Sequence, residues 1–297
     1  MKNTHLEHPE DVILTGDLSI FDWMLAGGNL SVKIDGCPAI VWGTNPATGN
    51  FFVGTKSVFN KKLIKINESH ADIDANHSGV VADLLHHCFD CLPDDDGIIQ
   101  GDFIGYGGDD TFRPNTITYV FDEVIDQNII IAPHTCYYAK SDLRDAVAYP
   151  LDYALDDTEY CKFVQPDAWQ IDEDFDEIVQ FARQMSTLCE FVTPSKASKI
   201  KKVVNACIRD QMPIHDELIA DELDFDVNVL RLWKLVKSIK EDMLYLCRND
   251  GPQAYINDEE SNGEGYVMSN QFGMFKLVNR EGFSYANFNY GKFSCAS

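Results

Sequence analysis

The spacing of the apolar residues changes twice along this chain of 297 residues, and this change constrains the fold more than any other feature of the sequence. In the first half, short apolar runs alternate with turn-forming Gly, Pro, Asn and Asp, a pattern typical of β-strands. From about residue 172 to residue 248, apolar residues recur with the period of an α-helix. Strand-like runs return after Gly251-Pro252. The sequence therefore predicts an α+β fold in which helices interrupt a β-rich core.

The same pattern predicts how the chain is divided. Residues 1–150 are expected to form the N-terminal part of the core, residues 151–250 a helical insertion, and residues 251–297 the C-terminal strands that complete the core. The runs at residues 30–34 and 39–42 are predicted to pair as one hairpin, and the segments GEGYVMSN and MFKLVNR as a second. The amphipathic helices of the insertion are a candidate surface for a protein partner.

The charge and the cysteines limit the classes of function. The net charge of −24, from 24 Lys and Arg against 48 Asp and Glu, repels polyphosphate backbones and disfavours broad non-specific nucleic-acid binding. The net charge does not exclude a small local basic site for nucleic acid. The sequence contains no apolar stretch long enough to span a bilayer and no N-terminal signal peptide, and its nine scattered cysteines favour reduced thiols. We therefore expect a soluble, cytoplasmic protein with no membrane partner.

The sequence Lys33-Ile-Asp35-Gly36 places two charged residues between apolar runs. An ordinary solvated lysine in a turn is one interpretation, and the motif alone does not exclude it. The other is a reactive amine, because lysine attacks phosphorus only in its neutral form and apolar surroundings favour that form. The second interpretation predicts that the pKa of Lys33 is lowered.

Five motifs occur in one order along the chain: Lys33-Ile-Asp35-Gly36, Gly54-Thr-Lys56-Ser57, Gln100-Gly-Asp102, Gly263-Glu264-Gly265-Tyr-Val267 and Phe275-Lys276-Leu-Val278. This order resembles that of the covalent nucleotidyltransferase superfamily, which contains the ATP-dependent DNA and RNA ligases and the mRNA capping enzymes. The resemblance covers about residues 30–120 and 262–280 and leaves the helices unmatched. The stretch KIDGCPAIVWGTNPATGNFFVGTKSVFNKK also resembles uncharacterised proteins of tailed phages, particularly cyanobacterial ones. A phage-encoded protein would act in the host cytoplasm.

The resemblance implies a ligase-type (ATP-grasp-like) nucleotidyltransferase fold with an antiparallel β-sheet core, here with a helical insertion and without a C-terminal OB barrel. It implies that a lysine attacks the α-phosphate of ATP with Mg²⁺ or Mn²⁺, forms a lysyl-AMP intermediate, and passes AMP to an acceptor. ATP is favoured over GTP. The acceptor in the ligases is a nucleic-acid 5′-phosphate, so RNA or DNA ends at a local site are the first candidates.

The motifs assign roles to individual residues by the same resemblance. The catalytic group comprises the nucleophile Lys33, together with Asp35 and Lys276. The nucleotide-binding group adds residues that would contact the base, ribose or phosphates, namely Val32, Gly36, Lys56, Asp102, Phe121 and Glu264. Asp102 and Glu264 are also the candidate metal ligands, because carboxylate oxygens suit Mg²⁺. Tyr119, and behind it Tyr137, are alternatives to Phe121 for stacking on the base, and a buried core position is the competing interpretation for each ring.

The sequence departs from the family's pattern at three motifs. Asp102 is one methylene shorter than the usual glutamate, and Lys56 replaces an arginine and loses its bidentate geometry. The second lysine of the final motif is Val278 here, with Arg280 as the only nearby substitute. These departures leave two alternatives open: an adenylyltransferase acting on a protein or small molecule, and a non-catalytic nucleotide-binding or protein-interaction module.

One further cluster carries possible ligands. The sequence His86-His-Cys-Phe-Asp-Cys91 contains C-x-x-C, but no second ligand pair follows at zinc spacing, which favours core thiols over a zinc site. His70 and the other histidines do not form a recognisable ligand set in the sequence.

Overall fold

The computed structural model describes residues 6–94 and 97–282, which form an α+β arrangement of helices and antiparallel sheets. The strands are β1 Asn29–Val32, β2 Ala39–Thr44, β3 Phe51–Gly54, β4 Ile98–Tyr106, β5 Thr111–Phe112, β6 Ile117–Val120, β7 Ile129–Tyr138, β8 Val147–Pro150, β9 Cys161–Phe163, β10 Ala168–Gln170, β11 Cys247–Asn249, β12 Gln253–Ile256, β13 Glu259–Ser261, β14 Tyr266–Asn270 and β15 Gly273–Leu277. The helices are α1 Pro9–Val12, α2 Ser19–Ala26, α3 His70–Asn76, α4 Val80–Cys91, α5 Asp176–Ser186, α6 Pro194–Arg209, α7 Asp216–Leu223 and α8 Val227–Tyr245.

The largest sheet has the strand order β3-β2-β4-β7-β8, with β9 parallel to β7. Strand β4 lies at its centre, and Asp102 of β4 lies between Ala39 of β2 and Ala132 of β7. One face of this sheet packs against α4, whose buried positions Leu84, Leu85 and Cys88 have helical spacing. The central position of β4 therefore places Asp102 away from the sheet edges, with its side chain partly buried.

A second sheet joins the two ends of the sequence. Its order is β1-β14-β15, with Val32 opposite Tyr266 and Val267 opposite Lys276. The predicted hairpin over GEGYVMSN and MFKLVNR is confirmed as β14 and β15. A short third sheet, β13-β12-β6-β5, likewise pairs β12 with β6. The chain beyond the helices thus pairs with the N-terminal half in two separate sheets.

The predicted hairpin between residues 30–34 and 39–42 is wrong, because β1 pairs with β14 whereas β2 pairs with β3 and β4. The segment between β1 and β2 crosses from one sheet to the other and bonds to β4. The amide of Cys37 donates to the carbonyl of Phe103 at 2.9 Å, and the amide of Phe103 donates to the carbonyl of Pro38 at 3.0 Å. Apolar alternation identified both strands correctly but carried no information about which partner each strand takes.

The helices α5 to α8 pack with α1 and α2 in one apolar core, against the β1-β14-β15 sheet. Trp23, Trp233 and Tyr266 are buried in this core. The segment 151–250 also contributes strands: β9 joins the largest sheet before the first of these helices begins, and β10 pairs with β11. One face of the three-stranded sheet is therefore covered by the helical layer.

Two expectations about the cellular environment can be compared with the described residues. None of their helices combines the length and the apolarity needed to cross a bilayer. The cysteines at positions 88, 91, 136, 161, 189, 207 and 247 are free thiols, as expected, but Cys37 is disulfide-bonded, so the expectation is wrong at that position. Cys88 and Cys91 lie on the buried face of α4, which confirms the interpretation of core thiols.

Candidate active site around Lys33

Lys33 follows the last residue of β1, where the chain leaves the three-stranded sheet. Its backbone amide donates to the carbonyl of Gly265 at 2.8 Å, which fixes the lysine beside the turn that precedes β14. Its amine forms an ion pair and a hydrogen bond with Glu264 of that turn. The Lys33 side chain is 25% exposed and that of Glu264 is 9% exposed. The first and fourth motifs of the sequence are therefore in direct contact.

Asp35 is held by the third sheet. Its backbone amide donates to the hydroxyl of Tyr119 at 2.8 Å, and the Asn115 side-chain amide donates to both its carboxylate and its carbonyl. Burial and the negative charge of Glu264 raise the pKa of Asp35 to about 7, although Lys33 and the Asn115 hydrogen bond act in the opposite direction. Burial is thus the main reason that Asp35 holds its proton, and repulsion from Glu264 adds to it.

Gly36 is required by the protein itself. A Cβ atom at this position would lie 2.4 Å from the carbonyl oxygen of Phe103 and 3.0 Å from the Cβ of Asp102. The absence of a side chain therefore lets the loop after Lys33 lie directly on β4, next to Asp102. Close approach of a nucleotide to Gly36 stays a prediction, but it is not needed to explain the glycine.

Lys276 contributes a second amine. It lies on β15 opposite Val267, and its backbone amide donates to the carbonyl of Glu7 at 3.2 Å. Burial and the positive charge of Lys33 lower the pKa of Lys276. The electrostatic influence of Lys33 on Lys276 indicates that the first and fifth motifs also converge.

The pKa of Lys33 shifts in the direction opposite to the one that the sequence predicts. Burial, the largest single influence, favours the neutral amine. The attraction of Glu264, its hydrogen bond and the nearby Asp35 and Asp102 together outweigh burial, so the pKa of Lys33 is raised. The prediction of a lowered pKa is wrong for the protein without a bound ligand, because the three carboxylates stabilise the ammonium form.

Val32 and Lys56, which are also predicted to contact the nucleotide, are less closely associated with the charged group around Lys33. Val32 packs against the helical core, and Lys56 is exposed in a 3₁₀ turn after β3. Gly54 pairs with Val41, only two residues from the pair formed by Ala39 and Asp102, so the chain leaves β3 towards the Asp102 end of the sheet. Contacts of Val32 and Lys56 with a nucleotide stay predictions.

The aromatic candidates for base stacking are packed within the protein. Phe121 is partly buried, and its ring centroid lies 5.7 Å from that of Phe112. Tyr119 is fully buried and bonds to Asp35, which leaves no ring face for a base. Tyr137 is also buried, with its ring 4.3 Å from Phe59 and its hydroxyl donating to Gln100 at 2.7 Å. Of the three, Phe121 alone stays a candidate.

Arg280 does not replace the missing lysine of the final motif. Its guanidinium is buried in the helical layer, where it bonds to Glu10 at 3.0 Å and Asp11 at 2.9 Å and lies over the ring of Trp233. These partners occupy the guanidinium, so it is not directed towards the group around Lys33.

Sequence reasoning missed several residues that support the site. Asn115 and the hydroxyl of Tyr119 position Asp35, and His134 lies beside Asp102 with its Nε2 3.7 Å from the carboxylate. Gln100 lies 3.3 Å from the same nitrogen. Asn115 and His134 belong to no motif, and only the pairing of the strands brings them close to Asp35 and Asp102.

The carboxylates can be assessed as metal ligands. Within residues 6–94 and 97–282, no group of three or more histidine, cysteine, aspartate or glutamate side chains has the geometry of a metal site. Asp102 and Glu264 are therefore at most a partial set of metal ligands. A partial set is what Mg²⁺ commonly uses in nucleotide sites, where one or two carboxylates act together with substrate phosphates and water.

Comparison with known proteins adds a family but no activity. No curated protein and no solved structure matches the chain. A family described as a family of unknown function, DUF6267, matches residues 3–226 and 210–292. Because these segments cover well over half of the sequence, the chain belongs to the DUF6267 family.

Proposed function

We propose that this protein is a ligase-like nucleotidyltransferase in which Lys33 attacks the α-phosphate of ATP and forms a lysyl-AMP intermediate. The observation that carries the proposal is the convergence on one amine of four motifs that are far apart in sequence. Lys33 bonds to Glu264, and its pKa responds to Asp35 and Asp102, while Lys276 responds to Lys33 in turn. A lysine in a solvated turn would be surrounded by water and would not be expected to lie among charged side chains from distant motifs.

In the proposed step, a bond forms between Nζ of Lys33 and the α-phosphorus, and the bond from that phosphorus to the bridging oxygen breaks. Pyrophosphate leaves with the electron pair of the broken bond. The ammonium group loses two protons overall on becoming a phosphoramidate nitrogen. Glu264 already accepts a hydrogen bond from this amine, so it is positioned to accept the first proton, and the departing pyrophosphate would carry away the second.

The neighbouring residues would prepare and position the reactants. Lys276 would offset negative charge at the α-phosphate during the displacement. Lys56, at the same end of the sheet as Asp102, would contact the ribose or the outer phosphates. Asp35 would fix the loop that follows the nucleophile, as its bonds to Asn115 and Tyr119 suggest.

The residues present fit a divalent cation such as Mg²⁺ or Mn²⁺. Burial raises the pKa of Asp35 to about 7, and the negative charge of Glu264 contributes to this shift, so a cation near these carboxylates would be attracted to them. Asp102 and Glu264 would hold the cation, which would supply charge neutralisation for the phosphates and the leaving group. Fewer carboxylate charges would then remain to hold Lys33 in its ammonium form.

The experiment is incubation of the purified protein with α-labelled ATP and Mg²⁺, followed by denaturing electrophoresis and mass spectrometry. We expect label on the chain and one adenylyl group on the peptide that contains Lys33. Lys33→Arg keeps the positive charge beside Glu264 but removes the nucleophile, so it should take up no label. Lys162→Arg is the matched control, because Lys162 also pairs with a carboxylate, Asp157 at 2.6 Å, and it should label normally. Absence of label on the wild-type protein with ATP and with GTP would contradict the proposal.

The raised pKa of Lys33 favours one second candidate, a nucleotide-binding or protein-interaction module without catalysis. Such a protein would bind ATP in calorimetry but would take up no label. The same preparation separates the two candidates. If the chain is labelled, adding a 5′-phosphorylated RNA, a 5′-phosphorylated DNA, a protein or a small-molecule acceptor to the adenylylated protein will identify what removes AMP. The resemblance to ligases favours the nucleic-acid 5′-phosphate.

A further inference from the structure

Two histidines on neighbouring helices face each other away from Lys33. His70 begins α3 and His86 lies on α4, and their Nδ1 atoms are 2.7 Å apart. The ring planes are 24° apart, with centroids separated by 5.0 Å. The His70 side chain is 50% exposed and that of His86 27%, so both rings can exchange protons with the solvent.

A carboxylate lies behind each ring. Nε2 of His70 is 3.0 Å from Asp90 of α4, and Nε2 of His86 is 3.0 Å from Asp74 of α3. Each helix therefore supplies one histidine and one aspartate, and the four side chains form a continuous chain of three contacts, each of which joins α3 to α4. Among residues 6–94 and 97–282, these two carboxylates are the charged groups paired with the histidines, and the ring of Phe89 lies 5.1 Å from that of His70.

The number of protons on the two rings decides whether the Nδ1 atoms of His70 and His86 attract or repel each other. An ionised carboxylate only accepts hydrogen bonds, so each Nε2 must carry a proton to bond to its aspartate. If both rings are neutral, the two Nδ1 atoms then present only lone pairs to each other at 2.7 Å, which is repulsive. One additional proton between them turns the contact into a charge-assisted hydrogen bond. A second additional proton puts a hydrogen on both Nδ1 atoms and again breaks the contact.

We propose that His70, His86, Asp74 and Asp90 form a proton-operated latch that closes α3 onto α4 when the two histidines share one additional proton. The Nδ1–Nδ1 contact of the latch is lost when the pair loses this proton as the pH rises, and again when both rings are protonated at low pH, while the two His–Asp pairs continue to join the helices. The inference rests on this contact geometry and does not depend on the proposed nucleotidyl transfer.

The consequence of opening would extend beyond the two helices. At its C-terminal end, α3 is tied to the loop after β3: the Asn76 side-chain amide donates to Asn67 at 2.9 Å, and Lys65 donates to the carbonyl of Asn76. Asn67 in turn bonds to Val53 of β3. The loop between β3 and these contacts carries Lys56. The latch therefore holds one end of the segment that presents Lys56 at the largest sheet.

The first test is an NMR titration of the histidine rings across the range in which histidine normally titrates, about pH 5 to 8. We expect His70 and His86 to titrate in two coupled steps, and we expect His70→Gln to change the midpoint of His86. Glutamine keeps a donor near Asp90 but removes the Nδ1 atom. His87→Gln is the control, because His87 lies on α4 and bonds through Nδ1 to the carbonyl of Asp83 at 2.8 Å.

The second test is amide hydrogen exchange of α3 as a function of pH, corrected for intrinsic exchange rates. In the wild-type protein, protection of α3 should pass through a maximum as pH changes. At that maximum, His70→Gln and His86→Gln should each exchange about two- to fivefold faster, the range expected for an exposed charged contact. Exchange in β4 and β7 of the same samples reports whether the variants are folded.

Two results would overturn the latch. One is single-step titration of both histidines, with each unaffected by replacement of the other. The other is protection of α3 that has the same pH dependence in wild-type, His70→Gln and His86→Gln proteins.

Discussion

Lys33 and Lys240 are both lysines paired with a glutamate inside the fold, but their surroundings differ in charge balance. Lys240 bonds to Glu10 at 2.7 Å, and both side chains are fully buried. Arg280 and Asp11 complete that cluster, so two cations face two carboxylates. Lys33 faces three carboxylates, with Lys276 as the neighbouring cation.

The directions of the pKa shifts follow from this difference. Burial outweighs the attraction of Glu10 and lowers the pKa of Lys240. At Lys33, burial acts in the same direction, but the attraction of its carboxylates is larger and the pKa is raised. A balanced, dry cluster is what a structural ion network requires. Excess negative charge at a partly exposed position is unfavourable for folding, and under the proposed function this is the charge that a bound cation would offset.

The largest expected effect concerns Lys240, the lysine of this comparison that belongs to a structural ion network. Lys240→Met removes one member of a fully buried pair and leaves the two carboxylates facing Arg280 alone. We expect a loss of about 3–5 kcal/mol in the free energy of unfolding. Urea denaturation measures this loss. A loss below about 1 kcal/mol would show that the cluster around Lys240 does not stabilise the fold.

The next effect has the opposite sign and concerns Asp35. Its pKa of about 7 in the folded protein lies above the value near 3.9 of an unfolded chain, so the folded state binds the proton more tightly. The contribution of Asp35 to stability is therefore present below about pH 4 and is lost as the pH rises to about 7.

Asp35→Asn removes this pH dependence and the repulsion from Glu264. We expect Asp35→Asn to be more stable than the wild type at pH 7 by roughly 1–3 kcal/mol, with the difference disappearing near pH 4. Thermal denaturation at several pH values measures both effects. A variant that is less stable than the wild type at neutral pH would contradict the assignment of excess negative charge to this site.

A smaller effect on stability is expected when Lys33 itself is changed. Lys33→Met loses one ion pair, but its site is partly exposed and water can solvate the carboxylates left behind. We expect a loss of about 1–2 kcal/mol, clearly below that of Lys240→Met, together with complete loss of labelling by ATP. Denaturation and labelling of the same sample test both expectations. Equal losses for the two methionine variants would remove the distinction between the lysines.

The smallest effect is expected for an exposed ion pair, which serves as the reference for the buried and partly buried pairs. Lys162→Met breaks the ion pair with Asp157, in which both side chains are about one-third exposed. We expect a change within about 1 kcal/mol in the free energy of unfolding, because exposed pairs contribute little. The change should also shrink as salt is added, since salt screens exposed charges. A loss comparable to that of Lys240→Met would show that burial does not distinguish these pairs.

Local patterns in the sequence identified the elements but not all of their partners. The helices α5, α6 and α8 and the hairpin of β14 and β15 were predicted because their apolar spacing is strong and their contacts are short in sequence. The hairpin of β1 and β2 was predicted wrongly because alternation defines a strand's faces and leaves its neighbours open. Burial of Arg280 was missed for a similar reason, since its partners Glu10 and Asp11 lie at the other end of the chain.

The sequence by itself determined the β–α–β order of the chain, its negative charge, and the motifs containing Lys33, Asp102, Glu264 and Lys276. Residue type and spacing are enough for these features, because they depend on short stretches of chain. Only the tertiary structure decided that Glu264 contacts the amine of Lys33, and that Asn115 and Tyr119 hold Asp35. The pKa directions also depend on it, because the energy of a charge is set by burial and by neighbours that folding brings from distant parts of the chain.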